Sequence, residues 1–173
     1  MSRSYTFSHA ISRQPSQSII KGLRAVDTGT PDLALFAQHH ADYVAALRST
    51  GAEVTLLDAL EDYPDSVFVE DAALCLPEGA VVMRPGAPTR LGEAAIMAPT
   101  LAHFYEDIRT IEAPDFIEGG DILTTEKEIL VGTSARTTSG GIEALRRATV
   151  DWGYTVREVT TPAGVLHFKT DCS

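Results

Sequence analysis

The sequence predicts an α/β protein made of repeated strand, hairpin partner, helix and strand units set around an axis, an α/β propeller. Three observations predict it. The stretch Phe68-Val-Glu-Asp71 returns as Phe116-Ile-Glu-Gly119, which sets Glu70 over Glu118. The match continues at constant spacing without a gap, placing Leu74 over Ile122 and Val81-Val-Met83 over Ile129-Leu-Val131. A weaker third copy, Val165-Leu-His167, puts His167 on the glutamate position of the second. Self-similarity at a period of about 20–50 residues marks arrays whose units cannot bury their apolar faces alone. If rotation relates the units, Glu70, Glu118 and His167 meet at the axis.

Each element follows from its own residues. Ser8 to Ile20 reads as a short strand and a polar loop, Ser12-Arg-Gln-Pro-Ser-Gln-Ser18, which bends at Gly22; such a loop serves either as a lid or as a plain surface connection. Pro31-Asp32 opens a helix in which Leu33, Phe36, His40, Tyr43, Val44 and Leu47 recur at three- and four-residue spacing, and Gly51 stands at its C-terminal cap. His39 and His40 lie there as structural residues. Glu53 to Leu57 alternates as a strand, and Glu61 to Asp65 turns.

Ser66 to Glu70 and Ala72 to Leu76 read as one strand interrupted by the acidic pair, followed by a turn at Pro77-Glu-Gly79 and a return strand to Arg84. A helix is expected from Arg90 to about Asp107, kinked or divided at Pro99. Arg109 to Glu112, Asp121 to Thr125 and Glu128 to Gly132 are strands. Thr137 to Ala148 is a helix capped by Thr138 or Ser139, with Glu143 placed to reach back to the cap. Tyr154 to Val159 and Val165 to Lys169 are the last strands expected.

At 173 residues the chain has the length of one domain with a substantial core. Its net charge of -10 opposes nucleic acid and anionic membrane surfaces and favours a cationic ligand. No run of about 18 apolar residues is present to span a bilayer, and the first ten residues lack the apolar core of a signal segment, so a cytoplasmic protein is expected. Cys75, between two leucines, is expected to be a buried thiol, and Cys172 a structural one. Neither CxxC nor HExxH occurs, so no metal is expected.

An axis lined by Glu70, Asp71, Glu118 and Asp121 suits a cation, and a planar guanidinium matches paired carboxylates best. Arg90 and Arg136 follow the two copies at comparable points, each after a strand and before a helix, and would clamp an anionic group such as an α-carboxylate. Taken singly, the acids would as readily cap turns, the arginines start helices in solvent, and His167 sit in a core. Their combination through the repeat singles them out.

Asp65-Ser-Val-Phe-Val-Glu-Asp71, Arg84-Pro-Gly-Ala-Pro-Thr-Arg90, Ile117-Glu-Gly-Gly-Asp121, Ser134-Ala-Arg-Thr137 and Leu166-His-Phe-Lys169 together resemble the dimethylarginine dimethylaminohydrolase family of the guanidino-modifying, or pentein, superfamily. The resemblance runs over nearly the whole chain. It implies a pentein-type α/β propeller of five ββαβ units, of which residues 1–173 hold one incomplete domain. It implies hydrolysis of the guanidinium C–N bond of methylated arginine to citrulline and a methylamine through a cysteine thiouronium, without metal or organic cofactor. Asp71, helped by Glu70, would hold the guanidinium, Arg90 and Arg136 the substrate carboxylate, and Asp65 with the Leu23 loop the α-amino end. Phe68 would line the pocket. His167 would be the general acid and base, oriented by Glu118. The family's cysteine would lie beyond Ser173, leaving this chain alone inactive.

An arginine deiminase or amidinotransferase relative and a truncated guanidino-binding module without chemistry are the alternatives. The expected partner is a small molecule, with self-association at exposed edges.

Overall fold

The structure, a computed structural model, describes residues 6–170 and residue 172. Part of the N-terminal stretch read for a signal segment, and Ser173, lie outside the described residues. Two compact units divide the chain, Tyr5–Val69 and Glu70–Ser173.

The first unit is a β-α-β element. Strand β1 (His9–Arg13) pairs in parallel with β2 (Glu53–Leu57), His9 facing Glu53 and Arg13 facing Leu57, and helix α1 (Leu33–Ser49) makes the crossover. Asp32 caps α1 by accepting the Leu35 N–H at 3.0 Å, and Gly51 follows its end at φ +91°, a left-handed conformation that a side chain would strain. Ser12 Oγ meets His40 Nε2 at 3.0 Å and so ties β1 to α1. His40 is therefore structural, as its place on the apolar face implies.

The second unit contains two copies of one pattern. Strands β3 (Ala73–Leu76) and β4 (Gly79–Val82) form a hairpin, and β5 (Ile108–Thr110) joins β4 in parallel after a short helix α2 (Ala98–Leu101). Strands β6 (Ile122–Thr124) and β7 (Glu128–Thr133) form the second hairpin, and β8 (Thr155–Thr160) joins β7 in parallel after helix α3 (Ser139–Thr149). Each is a mixed three-stranded sheet with its hairpin return strand in the centre. One core serves both sheets and α3: Leu76, Val81, Met83, Ile117, Ile129, Val131, Ile142 and Leu145 pack together. A bridge between Arg84 and Ile117 joins the two copies.

The hairpins correct the alignment of the repeat. Ala73 faces Val82 and Ile122 faces Val131, so Ile122 corresponds to Ala73 and not to Leu74. Such a slip of one position turns every side chain to the opposite face. Ala80 and Val82 thus correspond to Ile129 and Val131, and all four are buried.

Other expectations are overturned. Residues 66–70 are not a strand, because Val69–Ala72 winds into a 3-10 turn that carries Asp71 inward. No long helix follows Arg90; 3-10 turns Pro88–Arg90 and Ala94–Met97 lead into α2, with Gly92 at φ +99° between them and Pro99 in the first turn of α2. Residues 165–167 form no strand but an irregular stretch that bends at Leu166 and runs into the 3-10 segment Phe168–Thr170. Thr138 is the cap of α3, accepting the Gly141 N–H, while Glu143 pairs with Arg146 instead of reaching back. Cys75 is exposed on β3, not buried, since its neighbours Leu74 and Leu76 take the covered positions. No helix among the described residues is long and apolar enough to cross a membrane.

Truncating Leu145, which is fully buried in the common core, to alanine is expected to lower the unfolding free energy by about 2–5 kcal/mol in a denaturant titration. Val150→Ala, at an exposed position, is expected to change it by less than about 0.5 kcal/mol.

Candidate active site

Asp71 is carried inward by the 3-10 turn before β3. Its Oδ1 accepts the Gly120 N–H at 2.8 Å and its Oδ2 accepts Arg90 Nη1 at 2.6 Å. Arg90 is 3% exposed, and its Nε donates to Glu93 Oε1 at 3.0 Å while its Nη2 also lies on that carboxylate. Burial alone would lower the guanidinium pKa, but the hydrogen bonds and charges of Glu93 and Asp71 outweigh it and raise the value. A buried charge of this kind is tolerable only when paired.

Glu118 precedes the 3-10 turn Gly119–Asp121 and is fully buried. Its Oε1 accepts the Gly86 N–H at 3.0 Å and faces Arg136 Nη1 at 3.4 Å, while its Oε2 lies 2.8 Å from His167 Nε2. Thr137 Oγ1 accepts the Glu118 N–H at 3.1 Å. Burial would raise the carboxyl pKa; the His167 hydrogen bond and the charges of Arg136 and Arg90 together bring it below the usual carboxylate value. His167 shows the converse. Burial would lower it, but the Glu118 hydrogen bond and the charges of Asp71, Asp121 and Glu118 raise it above the ordinary 6.5.

Asp71, Glu118 and His167 each offer an atom within 4.8 Å of the others. All four carboxylate oxygens already face hydrogen-bond donors, and a guanidinium stands at each carboxylate. That arrangement is an acid–base cluster more than an open coordination shell. Gly120 allows it, because a Cβ there would stand 2.7 Å from His167 Nδ1 and 2.9 Å from Asp71 Oδ1. The Gly119-Gly120 pair is the sequence signal for this close approach.

The remaining candidates are distributed. Glu70, beside Asp71, points to solvent and pairs with Lys169 Nζ. Arg136 is half-buried at Glu118. Leu23, Asp65 and Phe68 belong to the other unit, where both Asp65 oxygens accept the Leu23 N–H, at 3.0 and 3.2 Å, and the Asp65 carbonyl accepts the Phe68 N–H at 3.0 Å. Leu23 and Phe68 expose their side chains. Sequence reasoning assigned no role to Gly86, Glu93, Ser134 or Thr137, which have no counterpart in the repeat.

A family model described as N,N dimethylarginine dimethylhydrolase, eukaryotic, matches residues 31–168. An N(G),N(G)-dimethylarginine dimethylaminohydrolase of Pseudomonas aeruginosa is 38% identical over 165 residues, which are 95% of this chain and 65% of that protein. A solved structure of DDAH from Pseudomonas aeruginosa, a cysteine-to-serine mutant complexed with citrulline, matches with a TM-score of 0.92 and 38% identity over 96% of this chain and 65% of that one. The N-terminal domain of an arginine dihydrolase from cyanobacteria, 16% identical with a TM-score of 0.76 over 89% of this chain and 57% of that one, shares the fold. The chain thus spans less than two thirds of the length of these relatives.

The ion pair sets a pH window. The His167 contribution to stability is complete below pH 6.5 and is lost as pH rises through the raised value; the Glu118 contribution is present above 4.5 and is lost as pH falls through the lowered one. In an NMR titration the His167 midpoint is expected above 6.5, and Glu118→Gln is expected to lower it. Gly120→Ala is expected to destabilise the fold by about 1–3 kcal/mol, because the methyl group forces His167 and Asp71 apart.

Proposed function

Since this chain belongs to the dimethylarginine dimethylaminohydrolase family, we propose that it supplies the guanidinium-binding and acid–base residues of a hydrolase that converts Nω-methylated arginines to citrulline and a methylamine. The observation that carries the proposal is the buried Glu118–His167 pair with Asp71 beside it. Asp71, with Glu70 beside it, holds the substrate guanidinium, and Arg136 meets the substrate carboxylate. The family resemblance puts Arg90 at the carboxylate as well. Its buried contacts with Asp71 and Glu93 support a role in holding Asp71 for the guanidinium.

In the proposed reaction a cysteine thiolate adds to the guanidinium carbon, and the C–N bond to the methylated nitrogen breaks as protonated His167 gives its proton to the departing amine. Water then adds to the thiouronium carbon, losing its proton to His167. As the C–S bond breaks, the hydroxyl proton of the adduct passes to solvent, leaving the urea of citrulline and the free thiolate. The raised pKa of His167 suits its first task, since it remains a proton donor near neutrality.

Cys172 donates its thiol to the Phe168 carbonyl at 3.2 Å and Cys75 lies on the hairpin strand β3, so the nucleophile is assigned to a cysteine beyond residue 173, in the part of the relatives that this chain does not span. The two ββαβ copies are assigned to one pentein-type propeller domain, completed by further units.

The natively expressed protein is expected to have an intact mass above 18.6 kDa and to release citrulline from dimethylarginine, whereas residues 1–173 alone release none. His167→Ala is expected to lower kcat by about 10²–10⁴-fold, and the wild-type rate to fall as pH rises past the His167 midpoint. Preferred turnover of unmethylated arginine would replace this reading with an arginine deiminase. A native mass no greater than that of residues 1–173, without citrulline release, would leave a guanidino-binding module.

A further inference from the structure

Glu118 and Asp121 stand at the two ends of one tight turn, closed by the Asp121 N–H donating to the Glu118 carbonyl at 3.1 Å. Their carboxylates grip the same dipeptide at different points. Glu118 Oε2 takes the His167 ring at Nε2, and Asp121 Oδ1 accepts the Phe168 backbone N–H at 2.9 Å. The second oxygen of Asp121 accepts Ser134 Oγ–H at 2.7 Å, and Ser134 Oγ in turn accepts the Arg136 N–H at 2.9 Å. Asp121 is fully buried, so its carboxylate is shielded from water. At Gly132 a Cβ would stand 2.5 Å from Phe168 Cβ, so β7 also requires a bare backbone where this dipeptide docks.

A single bond to an imidazole leaves it free to pivot about that bond. A second bond, to the backbone of the next residue, fixes the main chain from which the ring projects and so narrows the positions that the ring can take. We propose that Asp121 is a positioning residue which anchors the backbone beside His167 and, through Ser134, the backbone of Arg136, so that one buried carboxylate aligns the acid–base histidine with the arginine on the opposite side of Glu118. Among the described residues, the charged groups that face His167 are Glu118, Asp71 and Asp121, and Arg136 faces Glu118. Asp121 therefore contributes field as well as geometry. The role rests on the proposed hydrolysis only for its kinetic readout.

The test uses the natively expressed protein as wild type, Asp121→Asn, Asp121→Ala and Ser134→Ala. His167 titration is followed by NMR and citrulline release by steady-state kinetics. Asp121→Asn keeps an acceptor for the Phe168 N–H but loses the charge, so the His167 midpoint should fall while much of kcat survives. Asp121→Ala loses both, and kcat should fall by up to about 100-fold with KM little changed. Ser134→Ala should weaken carboxylate binding, raising KM with the His167 midpoint nearly constant. An Asp121→Ala protein that melts earlier but keeps the wild-type midpoint and kcat would reduce Asp121 to a fold residue and overturn the proposal. If Asp121→Ala does not fold, an Asp121→Asn protein with an unmoved midpoint together with a Ser134→Ala protein of wild-type KM overturns it equally. A wild type that releases no citrulline would remove the hydrolase reading, yet the midpoint would still decide the role of Asp121.

Discussion

The full burial of the Glu118 carboxylate constrains the rest of this site. An ionised carboxylate removed from water is costly unless each oxygen finds donors. Gly86, Arg136 and His167 are those donors, and Thr137 holds the backbone behind them. With Glu118 itself they come from four separate stretches of chain. The loop after β4, the turn before β6, the loop after β7 and the segment after β8 must therefore all reach one point. The two sheets of the second unit are the frame that brings them there.

A second buried charge solves the same problem differently. Arg90 sits between Asp71 and Glu93, so its charge is balanced by two carboxylates at once. The sequence pattern, an arginine following each repeat copy, made Arg90 and Arg136 look like equivalent clamps. They are not equivalent in the structure. Arg136 retains exposed surface beside Glu118, whereas Arg90 is enclosed. Spacing records where a residue lies along the chain, but not how many carboxylates will fold around it.

Close backbone approach makes both arrangements possible. The Glu70 carbonyl occupies the point where a Cβ of Gly119 would be, and His167 and Asp71 crowd the equivalent point at Gly120. No alternative side chain fits without moving these groups. The glycine pair is thus as much a part of the site as the acids that flank it.

The α/β class, the opening strand, helix and strand, the two hairpins, and the meeting of Glu118 with His167 were legible along the chain, whereas the repeat pointed to Glu70 as their companion and the structure puts Asp71 there, with Glu70 turned to solvent. Local periodicity, capping at Asp32 and Thr138, and the self-similarity of the two copies are properties of neighbouring residues, so no long-range contact is needed to read them. The rest required the folded molecule. The hairpin register follows which side chains the common core covers, and it moved the repeat alignment by one position. The segments around Glu70 and His167 became turns, because hydrogen bonds to distant loops compete there with strand pairing. The bond of Arg90 to Asp71 and the grip of Asp121 on Phe168 depend on contacts across 19 and 47 residues, which no local pattern encodes.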